Sequence, residues 1–239
     1  MELYWIDHLL FALFGILFPI NSMLSTQPKL AQVESWESEM KRMLYLSNTI
    51  SLFLMALIVM LCWWLWGRPL QFLGLQLPIT GSWSIGLSLS AIFLTLYILD
   101  IYLEIRTPSA RRKSHAHWQK HTPFLPENQQ ENAQFVPLAF SAGINEEIVF
   151  RGFFIQYFLT LFWYFDHAEL YAIIIPSVVF ALVHYYQGWK AVLKIGLLSL
   201  FFGLIFLKTE SLLFPIILHI LIDLVGGWLS WKYLSKIPD

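Results

Sequence analysis

The chain has 239 residues, of which 57% are hydrophobic and only 13% charged, whereas soluble domains typically contain roughly 25% charged residues. This composition excludes an ordinary soluble domain, and the absence of low-complexity tracts excludes fibrous and disordered proteins. The formal net charge of -1 argues against nucleic acid as a partner, and the single cysteine, Cys62, excludes an intrachain disulfide and a cysteine-based metal site.

Seven apolar segments approach the length of about 20 residues that a helix needs to cross the hydrocarbon core of a bilayer. In chain order they are residues 4–23, 44–66, 83–103, 135–163, 170–186, 191–207 and 212–231. The first has Glu2 and Asp7 but no basic residue in its leading part, so we predict a retained span and not a signal peptide. We therefore expect an all-α fold, a polytopic bundle of about seven transmembrane helices in the lipid bilayer.

The distribution of basic residues predicts the orientation of these spans. Cytoplasmic loops carry an excess of Lys and Arg, and seven spans place twelve such residues on one side and two on the other. The larger group is Lys29, Lys41, Arg42, Arg106, Arg111, Arg112, Lys113, Lys120, Lys190, Lys194, Lys232 and Lys236, and the smaller is Arg68 and Lys208. We predict a multi-pass protein of the cell membrane with an extracytoplasmic N-terminus, a cytoplasmic C-terminus and a main cytoplasmic loop at residues 106–134.

The fourth predicted span contains three ionisable residues, Glu146, Glu147 and Arg151. Each such residue near the bilayer centre costs about 2.5 kcal/mol or more, so it needs a partner or a function. Glu147 and Arg151 are four residues apart, on one helix face, and are predicted to form an ion pair. Glu146 is rotated by about 100° from Glu147 and has no such local partner. This difference makes Glu146 the carboxylate available for chemistry.

Two further spans each contain a pair of residues four positions apart, and each pair includes at least one polar residue. Phe180 and His184 lie in the fifth span, and His219 and Asp223 lie in the seventh. We expect Glu146, His184, His219 and Asp223 to meet in one interior site, although any one of them alone is as readily explained by hydrogen bonding between packed helices. Phe180 is expected to be a packing residue.

Other polar residues have simpler explanations. Asp7, His8, Asp100 and Glu104 lie near predicted span ends, where side chains commonly reach towards water. The group of His115, His117 and His121 resembles a weak metal-binding tract, but a solvated loop is the favoured interpretation.

Three motifs occur in a recognisable order on three spans. They are Glu146-Glu147-x-x-x-Arg151, Phe180-x-x-x-His184 and His219-x-x-x-Asp223. In this order they resemble the CAAX-protease and bacteriocin-processing family, or abortive-infection family, of intramembrane glutamic endopeptidases. The resemblance implies a peptidase core at residues 135–231, preceded by N-terminal transmembrane helices and a cytoplasmic loop at residues 1–134.

The resemblance also implies roles for individual residues and a protein or peptide substrate, without a cofactor. Glu146 would activate water for attack on a peptide carbonyl, assisted by His184, while His219 and Asp223 would orient and stabilise the oxyanion. Glu147 and Arg151 would hold the shape of the site. The eukaryotic branch typically has Asn where this chain has Asp223, which leaves prenylated substrates open. Since a carboxylate cannot donate a hydrogen bond unless protonated, Asp223 is expected to orient His219 as an acceptor.

Alternative functions use the same residues. In a zinc peptidase, His184, His219 and a carboxylate would bind the metal while Glu146 acted as the base. The absence of a His-Glu-x-x-His motif disfavours this possibility. A non-proteolytic scaffold or immunity protein of the same fold is a third possibility, and a transporter with a proton-relay carboxylate is a fourth. The sequence favours neither a monomer nor an oligomer.

Overall fold

The computed structural model describes residues 2–26 and 36–234, which form eight helices and contain no β-strand. Helix α1 begins at Trp5 and continues through π-helical turns to Thr26, and α5 is the continuous helix over residues 129–161. The others are α2 Ser38–Leu65, α3 Trp83–Ile105, α4 Pro108–His121, α6 Ala168–Val183, α7 Trp189–Thr209 and α8 Leu213–Leu229, the last extended by the π-helical turn Ser230–Leu234. The predicted all-α fold is confirmed.

Five of these helices are long and apolar enough to cross a membrane: α1, α2, α3, α7 and α8. Helix α6 is apolar but shorter, because it ends at Val183 and a 3₁₀ turn follows at Tyr185–Gln187. Helix α5 corresponds to the predicted fourth span and begins earlier than predicted, at Gln129, where the Asn128 side chain caps it by accepting from the Glu131 amide. The chain is a multi-pass membrane protein.

Helix α4 lies inside the segment that we expected to be a solvated loop, so that expectation was wrong. The Thr107 side chain caps the helix by accepting from the Ala110 amide at 3.1 Å, and Pro108 occupies its first turn. The rings of His117 and His121 lie 4.6 Å apart on this helix. The histidines therefore belong to a helix that packs against the bundle.

The N-terminal part of the bundle contains a buried ion pair between Asp7 and Arg68, which was not expected from the sequence. Asp7, predicted to reach towards water, is 2% exposed, and its Oδ2 accepts a hydrogen bond from Arg68 Nη2 at 2.6 Å. Arg68 also lies over the rings of Tyr4 and Trp63. The exposed residue His8 hydrogen-bonds the Tyr157 hydroxyl at 2.8 Å. These contacts connect α1, α5 and the loop after α2.

Asp100 and Glu104, also expected to extend towards water, pair across two helices instead. Lys194 Nζ on α7 lies 2.8 Å from Asp100 Oδ2 and 2.6 Å from Glu104 Oε1, both on α3. Because all three side chains are roughly a third to a half exposed, solvent screens the pairs and they contribute little to stability.

A buried lysine joins the start of α2 to the start of α5. Lys41 is fully buried, and its Nζ donates to Glu131 Oε2 at 3.0 Å. Burial alone raises the pKa of Glu131, but hydrogen bonds from Ser38, the Glu127 amide and Lys41 outweigh burial and hold that pKa below its usual value.

Among the other basic residues used to predict orientation, Lys29 and Lys236 lie outside the described residues.

Helices α5 and α8 approach each other closely at Gly143. A Cβ atom at this position would lie 2.9 Å from the backbone nitrogen of Ile220, and it would also overlap the Ile220 side chain. Small residues commonly allow such close approach between membrane helices. The contact lies next to the predicted site residues, because Ile220 adjoins His219, while Glu146 and Glu147 follow Gly143 by three and four residues.

We expect Gly143→Ala to destabilise the protein by about 1–3 kcal/mol, because the added methyl group forces the two helices apart. The measurement is the unfolding midpoint of the purified protein in detergent. Gly226→Ala is the matched control, since a Cβ at Gly226 meets nothing within 4 Å and alanine favours helix. Equal shifts in the two variants would contradict this account of the α5–α8 contact.

Candidate active site

The centre of α5 supplies three of the predicted residues. Glu147 ends the α-helical part, and the π-helical segment Ile148–Phe153 that follows contains Arg151. Arg151 Nη1 and Glu147 Oε1 lie 3.0 Å apart, and both side chains are almost fully buried. The alignment does not meet hydrogen-bond geometry, so the contact is an ion pair. The predicted pairing is present, and π-helical segments of this kind are frequent at functional sites.

Arg151 also contacts the two helices that follow α5 in the chain. Its guanidinium lies 4.5 Å from the ring centre of Phe180 on α6 and 5.4 Å from that of Phe202 on α7. Its Nη2 donates a hydrogen bond to Ser199 Oγ on α7 at 3.1 Å. The sequence did not indicate Ser199 or Phe202, since a lone serine and a phenylalanine in an apolar span are unremarkable. Arg151 thus connects α5, α6 and α7.

His219 on α8 is held by Glu147. Its Nδ1 lies 2.7 Å from Glu147 Oε1, and because a carboxylate only accepts, Nδ1 is the donor. Its Nε2 lies 3.8 Å from both Glu146 Oε2 and Asp223 Oδ2. We expected Asp223 to orient His219, and this was wrong. Asp223 shares a helix face with His219 but stays beyond hydrogen-bond distance, whereas Glu147 approaches directly from the facing helix.

Glu146 does not share the ion pair of Glu147 with Arg151, as the helical spacing predicted. Its side chain is 13% exposed, while that of Glu147 is fully buried. Within the part of the chain that the structure describes, Glu146 Oε2 is a buried oxygen without a hydrogen-bond partner. Asp223 is more open, with 28% of its side chain exposed. The two carboxylates are therefore equally distant from His219 Nε2, and Asp223 is the more exposed of the two.

His184 lies at the end of α6 and joins the site less directly. Its Nδ1 donates to the Phe180 carbonyl oxygen at 2.8 Å, which leaves Nε2 as the nitrogen available to a reactant. Its ring centre is 4.7 Å from that of Phe180, and the Phe180 ring is in turn 6.0 Å from the His219 ring. Across residues 2–26 and 36–234, no hydrogen bond or ion pair links His184 to the other predicted site residues. Phe180, predicted to be a packing residue, is 2% exposed.

The structure therefore brings five predicted residues into one connected group: Glu146, Glu147, Arg151, His219 and Asp223. His184 contacts this group indirectly, because the buried ring of Phe180 lies between the rings of His184 and His219 in the series of ring contacts. Among the described residues, no group of three or more His, Cys, Asp or Glu side chains is arranged to hold a metal ion. The groups that the site offers for chemistry are the Glu146 carboxylate, whose Oε2 has no hydrogen bond among the described residues, two oriented imidazoles and a buried guanidinium.

Comparison with protein families gives a match over part of the chain. Residues 128–225 match the family described as Rce1-like, type II CAAX prenyl endopeptidase Rce1-like, a segment that includes all six site residues. Comparisons with curated proteins and with solved structures found no match. The resemblance to the CAAX-protease family is confirmed, and the match supports a membrane protease of the CAAX-protease type.

Proposed function

We propose that this chain, whose residues 128–225 match the Rce1-like CAAX prenyl endopeptidase family, is an intramembrane endopeptidase in which Glu146 activates water. Its substrate is a peptide bond of a membrane-associated or exported protein. The observation that carries the proposal is the unpartnered oxygen of Glu146, 3.8 Å from an imidazole nitrogen whose ring Glu147 holds in place. A general base next to an oriented hydrogen-bond donor is the arrangement that peptide hydrolysis needs.

In the first step, Glu146 accepts a proton from water as the water oxygen bonds to the carbonyl carbon. The carbonyl oxygen becomes an oxyanion, which His219 in its imidazolium form stabilises by donating from Nε2. The surrounding carboxylates favour positive charge on this ring, because opposite charges attract strongly in a poorly hydrated interior. Glu147 fixes the ring through Nδ1, so the donor needs no reorientation during the reaction.

In the second step, the carbon–nitrogen bond breaks, and the proton held by Glu146 passes to the leaving amine. The products are a carboxylic acid and an amine, and transfer of the acid proton to the amine gives a carboxylate and an ammonium group. We assign to His184 the support of this transfer through its free Nε2. Asp223, as a carboxylate, stabilises the charge of His219 and does not donate to the oxyanion. Arg151 pairs with Glu147 and holds it in position.

The family description suggests a C-terminal prenylated peptide as the first substrate to test. The assay uses full-length protein in liposomes and two internally quenched peptides of one sequence, one farnesylated on a cysteine and one without the lipid. We expect cleavage of at least one peptide at a single bond, identified by mass spectrometry, and a strong reduction in His184→Gln. Folded wild-type protein that cleaves neither peptide would favour a non-proteolytic scaffold.

The orientation of the chain is part of the proposal. We propose an extracytoplasmic N-terminus, so that the exposed residue Thr80 between α2 and α3 lies outside and the exposed residue Gln119 on α4 lies in the cytoplasm. In a Cys62→Ala background, Thr80→Cys should react with a membrane-impermeant maleimide in intact cells. Gln119→Cys should react only after permeabilisation. The reverse labelling pattern would contradict the proposed orientation.

A further inference from the structure

Helix α4 presents one face made of cations. Arg112, Lys113 and Lys120 are all exposed, and their spacing places them within one side of the helix, together with the exposed residue Ala116. The helix contains no acidic residue. We call Arg112, Lys113 and Lys120 the basic face.

The opposite side of α4 is docked on the protein. Ser114 Oγ donates to the backbone oxygen of Glu104 at the end of α3, at 3.4 Å. His121 lies close to Gly188, with its Cε1 atom 3.2 Å from the position of a Cβ there, and His117 lies next to it. This docking fixes the rotation of the helix about its axis. The basic face is therefore held in an outward orientation by packing on the other side.

The cations of the basic face differ from those of the bundle. Each cation that contacts the bundle interior has a carboxylate partner: Lys41 with Glu131, Arg68 with Asp7, Arg151 with Glu147, and Lys194 with Asp100 and Glu104. Within the described residues, Arg112, Lys113 and Lys120 have neither an ion pair nor a hydrogen bond from their side chains. These three cations are therefore available to an anion from outside this part of the chain.

The connection to α3 determines which anion is within reach. Only Arg106 and Thr107 separate the end of the membrane helix α3 from the start of α4. The contacts of Ser114 with Glu104 and of His121 with Gly188 keep the rest of α4 beside the ends of α3 and α7. At about 3.3–3.6 Å per residue, the connection keeps the first residue of α4 within roughly 10 Å of the membrane end of α3. That distance is comparable to the Debye length of about 8 Å at physiological ionic strength. Lipid headgroups are thus the anions next to this helix, whereas a nucleic acid or an acidic protein would have to displace them.

We propose that the basic face of α4 is a binding site for the headgroups of anionic phospholipids at the membrane surface. A Lys or Arg near an anionic membrane surface increases binding by about fivefold each. Three such residues therefore give a preference for anionic over zwitterionic lipid on the order of 100-fold at low salt. This inference is independent of the proposed peptidase activity.

The test uses full-length protein in dodecyl maltoside micelles, titrated at low salt with fluorescent phosphatidylglycerol or fluorescent phosphatidylcholine. We expect wild type to prefer phosphatidylglycerol, and the triple variant Arg112→Gln, Lys113→Gln, Lys120→Gln to lose at least tenfold in affinity. Replacing the same residues by Lys, Arg and Arg, respectively, keeps the charge and should keep the binding.

A matched pair of single variants controls for net charge. Lys113→Gln should weaken binding of phosphatidylglycerol severalfold, whereas Lys208→Gln, at an exposed cation outside α4, should leave it unchanged. Unchanged affinity in the triple variant, or equal affinity of wild type for the two lipids, would overturn the proposal. Stronger competition by inorganic phosphate, an oligonucleotide or an acidic peptide than by unlabelled phosphatidylglycerol would assign the basic face to another anion and overturn it too.

Discussion

Arg151→Ala is expected to destabilise the folded protein by about 3–5 kcal/mol, because it leaves Glu147 as a buried charge without its cation. Glu147 is fully buried, and its Oε1 atom faces both Arg151 and His219. The substitution also removes the contacts of the guanidinium with Ser199 and Phe180, and so loosens α5 from α6 and α7. The loss should appear as a lower yield of monodisperse protein and a lower unfolding midpoint in detergent.

Two variants separate the charge of Arg151 from its volume. Arg151→Lys keeps a cation near Glu147 and should recover part of the stability, although it loses the flat contact with the Phe180 ring. Glu146→Gln is the comparison inside the same site, since Glu146 has no ion pair shorter than 3.8 Å and glutamine has nearly its shape. We expect this variant to fold like wild type. Equal loss of detergent-stable protein in Arg151→Ala and Glu146→Gln would contradict the division of roles between the two glutamates.

Relations within one helix were predictable from the sequence. A period of 3.6 residues places Glu147 and Arg151 on one face, and it separates Glu146 from both. The structure shows that pairing and that separation. His219 and Asp223 likewise share a face, with a nitrogen and an oxygen 3.8 Å apart. Local geometry therefore predicted which glutamate would pair with Arg151 and which would lack that partner.

Relations between helices were not predictable in the same way. The hydrogen bond from His219 to Glu147 joins two helices that are in close contact at Gly143, and no spacing along one helix specifies the distance between them. The pairing of Asp7 with Arg68 joins residues 61 positions apart in the chain. Helix α4 was not predicted for a different reason. Thr107 followed by Pro108 is a local signal for the start of a helix, but the polar composition of the segment favoured a loop.

Glu146→Gln is expected to lower the rate of peptide cleavage by about 10²–10⁴-fold, the usual contribution of a general base. Glutamine preserves the volume of the side chain and the neighbouring ion pair of Glu147 with Arg151, but it cannot accept a proton from water. The protein should therefore fold, bind substrate with a similar affinity and fail in turnover. Comparison of kcat and KM in liposomes distinguishes this outcome from a binding defect.

The same assay decides between the two enzymatic mechanisms. If Glu146 is the base of a metal-free site, chelation with EDTA or phenanthroline should leave wild-type cleavage unchanged. In a zinc peptidase, the metal lowers the pKa of bound water and polarises the carbonyl, so chelation should abolish activity and added Zn²⁺ should restore it. We expect resistance to chelators, because the chain has no His-Glu-x-x-His motif and no group of three or more His, Cys, Asp or Glu side chains among the described residues is arranged to hold a metal ion. Stoichiometric zinc in active protein, lost together with activity in His184→Ala or His219→Ala, would overturn the glutamate mechanism and assign Glu146 to the base of a metal site.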